Sequence, residues 1–294
     1  MLYNYFRINR GDLMLVPMKT LLHQAEKNNS AVGAFSVGNM EMVMGAIKAA
    51  EDMKTPIILQ IAEKRLKNSP LELMAPMMIS AAKNSSVDIA VHLDHGLSIE
   101  CIRKALDYGF TSVMLDCSLK PLEENIKLTK EIVSLAKTTD ATVEAELGVV
   151  GGNEGDTEKH IITCTDPDVA KYFCYKTKID ALAVAIGNAH GNYPVLPELR
   201  FDVLEKIHKK TDIPLVLHGG TGITDEMFRK AISLGIRKIN IATASFDSLT
   251  EYAEDYLTKE NNHDYFTLSA KMAEGVYKNI VKHIEIFNNK EKLS

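Results

Sequence analysis

The chain has 294 residues, 46% of them hydrophobic and 25% charged. That length buries a substantial core as one large α/β barrel or two ordinary domains, and the composition excludes a disordered chain as the default. With 34 basic and 39 acidic residues the net charge is -5 and there is no basic block, which excludes nucleic acid or an anionic membrane as the main partner.

Residues 1–13 read as an N-terminal extension, because the patterned sequence begins near Met14 and the opening lacks the apolar centre of a signal peptide. No apolar run approaches the roughly 20 residues needed to span a bilayer. From there, eight short runs recur in order: 31–35 (AVGAF), 56–61 (PIILQI), 88–93 (DIAVHL), 111–115 (TSVML), 141–147 (ATVEAEL), 180–186 (DALAVAI), 214–218 (PLVLH) and 237–242 (RKINIA). They are near-continuously apolar, the pattern of parallel strands covered on both faces. Helical segments lie between them. Ser98, Thr165-Asp166-Pro167 and Thr224-Asp225-Glu226 are helix starts, and Gly109 and Gly235 are helix stops. The Gly-rich, charged stretch 148–165 is a long loop after strand five. Eight strand–helix units predict one (β/α)₈ TIM barrel over 14–294 with extra C-terminal helices; an open doubly wound sheet is the structural alternative. The four cysteines (Cys101, Cys117, Cys164, Cys174) form no C-x-x-C pair and read as reduced thiols of a cytoplasmic protein.

Barrel sites form at the C-terminal ends of strands, so the residues ending each run are the candidates. Strand three ends in His92, Asp94, His95 and Gly96, strand four in Asp116, and strand five in Glu144, Glu146 and Gly148. Strand six leads to His190 and Gly191, strand seven to His218, Gly219, Gly220 and Thr221, and strand eight to Asn240 and Thr243. A single strand-end histidine is more often a packing or loop residue. Three of them, His95, His190 and His218, each followed by Gly, suit a divalent transition metal, typically zinc. The run HGGTG at 218–222 ahead of a helix suits a phosphate cradle built on the N–H groups of Gly219, Gly220 and Thr221. Asp94, next to a proposed ligand, is either a general acid–base or an orienting partner. Glu154 in the loop is either a solvated charge or a proton carrier brought by a closing lid. His92 is left between a packing residue and one that orients a ligand.

The motifs HLDHG, MLDCS, VEAELG, GGNEGD, AIGNAHG, LVLHGGTG and INIAT occur in the order and spacing of the zinc-dependent class II fructose-bisphosphate and ketose-bisphosphate aldolases, including tagatose-bisphosphate aldolases. The sequence resembles that family from about Pro17 to beyond Thr243. The resemblance implies one catalytic Zn²⁺ per chain on His95, His190 and His218, with Asp116 and Glu146 matching positions of an alternative site for a divalent or monovalent ion. It implies Asp94 and Glu154 as proton carriers. It also implies a phosphate site made by Gly191, Gly219, Gly220, Thr221, Asn240, Ala242 and Thr243. The implied reaction is cleavage of a phosphorylated ketose, above all fructose 1,6-bisphosphate, to dihydroxyacetone phosphate and an aldehyde, by a homodimer or homotetramer.

The sequence also departs from the family pattern. Asp116-Cys117-Ser118-Leu119 replaces the usual Gly-Ser-His after the strand-four Asp, and no Lys follows His190-Gly191. The strand-eight run NIATASFDS lacks the Arg that grips a distal phosphate, and Arg65 after strand two is the candidate replacement. These differences leave open tagatose bisphosphate or another ketose phosphate, such as 5-dehydro-2-deoxygluconate phosphate. A non-catalytic sugar-phosphate-binding barrel is the alternative of a different class. A Schiff-base aldolase is disfavoured because no strand ends in a central Lys.

Overall fold

The computed structural model describes residues 14–150, 163–191, 197–259 and 263–289. Glu154, the extension at 1–13 and Asn192–Tyr193–Pro194 lie outside the described residues. Helix α1 (Met18–Asn28) comes first. The strand–helix units then run β1 (Val32–Ser36) and α2 (Met40–Asp52), β2 (Ile57–Ala62) and α3 (Leu71–Asn84), β3 (Ile89–Gly96) and α4 (Ile99–Asp107), β4 (Ser112–Leu115) and α5 (Leu122–Ala136). They continue with β5 (Thr142–Leu147) and α6 (Pro167–Thr177), β6 (Ala181–Val184) and α7 (Phe201–Lys210), β7 (Leu215–Leu217) and α8 (Asp225–Ser233), β8 (Ile236–Ile241) and α9 (Thr243–Lys259). Helix α10 (Tyr265–Phe287) follows.

The strands are parallel, pair in sequence order and close where β8 meets β1. This is the TIM barrel the alternation predicts, with C-terminal helices added. The helix starts form as their chemistry requires: Ser98, Asp166 and Thr224 each accept backbone N–H bonds at a helix N-terminus.

Side chains on a strand alternate between its faces. The outward residues make the larger core beneath the helices. The inward ones at the N-terminal end, Val32, Ala34, Ile58, Ala90, Ala181, Ala183 and Val216, pack on Met18, Leu21, Leu22 and Ala25 of α1. Helix α1 thus plugs that end, and three hydrogen bonds fix it. Arg237 of β8 donates to both carboxylate oxygens of Glu26 (2.6 and 3.1 Å), and the Lys19 N–H donates to Thr142 Oγ1 (2.9 Å). Among the described residues, no helix is long and apolar enough to cross a membrane.

Candidate metal and substrate site

At the other end of the strands the interior is polar. Regular alternation cannot turn Asp94 and its neighbour His95 into the same space. The β3–β4 register shifts between Leu93 and Gly96, and His95 holds a left-handed backbone, φ 40°. This irregularity brings consecutive side chains to one rim, the familiar use of a bulge beside a site. Gly96 is required by the same feature: a Cβ there would lie 2.4 Å from the Met114 carbonyl of β4. The close approach that Gly96 permits is therefore by the neighbouring strand.

The structure brings His95, His190 and His218 together. Their ring centroids are 4.8, 4.7 and 5.8 Å apart pairwise, and one nitrogen of each lies within 4.8 Å of the others. Asn188 ties two of the strand ends, accepting from the Ile186 N–H and donating to the His218 carbonyl.

The tautomers follow from the partners. His95 Nδ1 lies 2.8 Å from Asp116 Oδ2, and Asp116 in turn accepts from the N–H and hydroxyl of Ser118. Burial opposes ionisation of Asp116, but the His95 bond outweighs it and holds the carboxyl well below the usual range. Asp116 can then only accept, so His95 Nδ1 carries the proton and Nε2 is left as a lone pair. That Nε2 is buried and makes no hydrogen bond among the described residues. In the same way His218 Nε2 donates to Glu144 Oε1 (2.8 Å), leaving Nδ1, 3.1 Å from Glu146 Oε2, facing the cluster.

Three clustered imidazoles, with His95 Nε2 and His218 Nδ1 left as lone pairs, ringed by carboxylates, fit a divalent cation. Charge favours one as well. Burial lowers the proton affinity of His95 and His218, yet Asp94 and Asp116 beside the one, and Glu144 and Glu146 beside the other, push both above the ordinary value, His218 to about 9. Burial and the two neighbouring histidines hold His190 well below it. His95, Asp116 and Glu146 form a second convergent set within 4.8 Å. Burial and Asp116 raise the Glu146 carboxyl.

Asp94 is fully buried and sits at the end of two amide donors. Asn240 Nδ2 donates to its Oδ1 (3.0 Å) and Gln60 Nε2 to its Oδ2 (3.2 Å). Burial opposes its charge, but His95 and Lys238 prevail and keep it ionised. Such a carboxylate is oriented and able to take a proton.

Beside His190 a small cleft is lined by Gly191, Gly219, Gly220, Thr221, Asn240, Ala242 and Thr243. Gly219 has φ 64°, and a Cβ there would lie 2.0 Å from the Ala189 carbonyl, so the turn admits only glycine. Helix α9 begins at Thr243 on this cleft, and Thr221 Oγ1 accepts the Ala244 N–H at its first turn.

Two of the expected phosphate contacts are placed differently. The Gly220 N–H donates to the Asn240 carbonyl (3.0 Å), so it shapes the cleft but is not open to an anion. The Asn240 amide serves Asp94. Arg65 lies on a short 3-10 turn after β2, its guanidinium 5.5 Å from the Phe246 ring of α9. Glu63 anchors that turn by accepting from the Leu97 and Ser98 N–H groups.

Sequence reasoning passed over Gln60, Asn188 and Lys238 as working parts of the site, and placed Glu144 at the rim without a role. Parity was the available signal: Lys238 shares an inward face with Asn240, as Glu144 does with Glu146. His92 is settled as neutral and buried. Burial holds it at about 3, Nδ1 lies 2.8 Å from Ser112 Oγ, and Nε2 lies 3.8 Å from both Asp94 and Glu144.

The family model described as "Fructose-bisphosphate aldolase class-II" matches residues 16–292. The chain belongs to the class-II fructose-bisphosphate aldolase family. It is accordingly an aldehyde-lyase of that family, built on a barrel whose polar rim suits a divalent metal. It is 41% identical to the fructose-bisphosphate aldolase of Geobacillus stearothermophilus over 85% of this chain and 88% of that one. It is 38% identical to the protein YdjI of Escherichia coli K12 over 95% of this chain and 99% of that one. The crystal structure of the YdjI aldolase superposes with a TM-score of 0.84 at 35% identity, covering 95% of this chain and all of that one.

Proposed function

We propose that the protein is a zinc-dependent aldolase that reversibly cleaves fructose 1,6-bisphosphate to dihydroxyacetone phosphate and glyceraldehyde 3-phosphate. We assign it to the cytoplasm as a homodimer or homotetramer, the assembly the family resemblance implies. The observation that carries the reading is the convergence of His95, His190 and His218, with His95 Nε2 buried and without a hydrogen bond among the described residues, directly beside an oriented Asp94 carboxylate.

Zinc on these three histidines supplies a Lewis acid for the negative charge that develops at the ketose carbonyl oxygen. The chain does the rest. Asp94, fixed by Gln60 and Asn240, takes the proton from the hydroxyl across the scissile bond. Glu154, which follows β5 in the sequence and lies outside the described residues, is assigned the proton at the dihydroxyacetone phosphate carbon. The cleft at Gly191, Gly219, Thr221, Ala242 and Thr243 takes that product's phosphate. Its support is the positive end of the α9 dipole and a turn whose backbone must approach closely. Asp116 and Glu146, with His95, are the alternative ion position. Arg65 is the distal contact.

A second reading is favoured by the strand-eight run. Ala242 and Ala244 stand on either side of Thr243, and no Arg follows. A ketose carrying no distal phosphate then replaces the bisphosphate. Cleavage rates on fructose bisphosphate, tagatose bisphosphate, ketose 1-phosphates and 5-dehydro-2-deoxygluconate phosphate separate the two. The bisphosphate reading expects the highest kcat/KM on fructose 1,6-bisphosphate, with a rise in KM on Arg65→Ala. A monophosphate used as well or better replaces it with the second reading.

A further inference from the structure

Directly beneath the three histidines lies another convergent group, His92, Asp94 and Glu144. All three are fully buried, with ligand atoms within 4.8 Å of one another. Two carboxylates and an imidazole, all buried, call for a cation. The chain provides one: Lys238 of β8, also fully buried, places Nζ 2.8 Å from Glu144 Oε2. A lysine buried inside a barrel has no role in packing that an apolar residue would not serve better. Its meaning lies in what Glu144 does with its other oxygen.

Glu144 divides its two oxygens between two elements. Oε2 faces Lys238, and Oε1 accepts from His218 Nε2 at 2.8 Å. We propose that Lys238 is a resident cation that fixes the metal-binding nitrogen of His218 by holding Glu144 in place. Clamped on one side, the carboxylate can offer only Oε1 to the imidazole. That oxygen keeps the proton on Nε2 and leaves Nδ1, 3.1 Å from Glu146 Oε2, as the nitrogen with a lone pair for the metal. The neutral His92 ring fills the space between the Asp94 and Glu144 arms and keeps the two carboxylates apart. Lys238 and Glu144 are therefore positioning residues: they lie below the rim and act on the site through His218. Lys238 also fills by itself the cation position of the lower group, so a single exogenous ion is expected in the upper one.

The inference rests on the three-histidine reading of the metal site, and its test separates the two. Full-length protein is stripped with chelator and titrated with zinc alone against a chromophoric competitor. The variants are wild type, Glu144→Gln, Lys238→Met, the double Glu144→Gln/Lys238→Met, and His218→Ala. Wild type binds about one zinc, and His218→Ala loses it; if His218→Ala binds as wild type does, the metal reading itself fails. Given that reading, Glu144→Gln and Lys238→Met each weaken zinc about 10- to 100-fold, the range for removing an orienting partner of a ligand. The double variant binds like Glu144→Gln alone, because both changes remove one clamp.

Lys238→Met leaves a buried carboxylate without its cation. If it does not fold, the decisive comparison is Glu144→Gln with the double variant, in which no unpaired charge remains. Equal zinc affinity in those two supports the clamp. The visible spectrum of the cobalt-loaded proteins reads the same point at the ligand: a shift common to Glu144→Gln and the double variant is expected. Wild-type zinc affinity in Lys238→Met, or a further tenfold loss in the double variant beyond Glu144→Gln, overturns the proposal.

Discussion

Two stretches of the same strands build the two ends of the barrel interior from opposite chemistry. Toward the N-terminal end, Ile58, Ala90 and Val216 are apolar and close on α1. Two residues further along the same strands stand Gln60, His92 and His218, and beyond His92 comes Asp94, all fully buried. The lower layer is held by apolar packing, with the Arg237–Glu26 and Lys19–Thr142 bonds fixing α1 on it, and its small residues leave room for the α1 side chains. The upper layer costs free energy to bury and is tolerable only because its charges answer one another: Lys238 with Glu144, Asp116 with His95, two amides on Asp94. One end therefore supplies stability, and the other is bought at its expense for binding and proton transfer.

That division can be broken by experiment. The largest effect is expected from His95→Ala or His218→Ala. Bound metal should fall from about one ion per chain to near none and cleavage should disappear, while circular dichroism stays native. Metal analysis and a coupled aldolase assay read both. Next is Asp94→Asn, which should keep the metal and lose kcat by roughly 10²- to 10⁴-fold. Retained turnover would remove Asp94 from proton transfer.

In the lower layer, Ile58→Ala should cost about 2–5 kcal/mol in chemical denaturation, as a buried Ile→Ala does, with metal stoichiometry unchanged. Loss of metal there would show that the two layers are not separable.

The smallest effect concerns His283 on α10, packed among Phe35, Phe228 and Phe287 outside the barrel. Burial holds it at about 4, assisted by Lys282 and opposed by Asp225 and the Asn279 carbonyl. The unfolded chain protonates this histidine near pH 6.5 and the folded chain does not. Stability is therefore fully present above that pH and falls as pH drops toward 4. Between pH 7 and 5 this amounts to about 2 kcal/mol. His283→Leu should be that much less acid-sensitive than wild type in denaturant titrations at the two pH values.

The comparison also explains what the sequence could and could not reveal. Every strand was legible, because a parallel strand covered on both faces must be apolar throughout. The limits drift where that rule ends. The apolar run of strand three stops at Leu93, but β3 continues to Gly96 because the ladder carries Asp94 and His95 through an irregular register. Conversely, Ala185 and Ile186 are buried and apolar but lie beyond the β6 ladder. The rim histidines were legible because Gly punctuates each one. The Lys238–Glu144 pair was not: a charge within a strand reads as a solvent face, and only closure of the barrel lets side chains of β8 and β5 meet across its interior. Helix α1 was equally hidden, since it starts after Pro17 with no side-chain cap to announce it.

The most direct test of the account is fructose 1,6-bisphosphate cleavage by the purified protein before chelation, after complete chelation and after return of one equivalent of zinc. We predict about one bound ion per chain at the start, no cleavage once it is removed, and recovery on zinc addition. Cleavage that persists in protein shown by elemental analysis to hold no metal would contradict it.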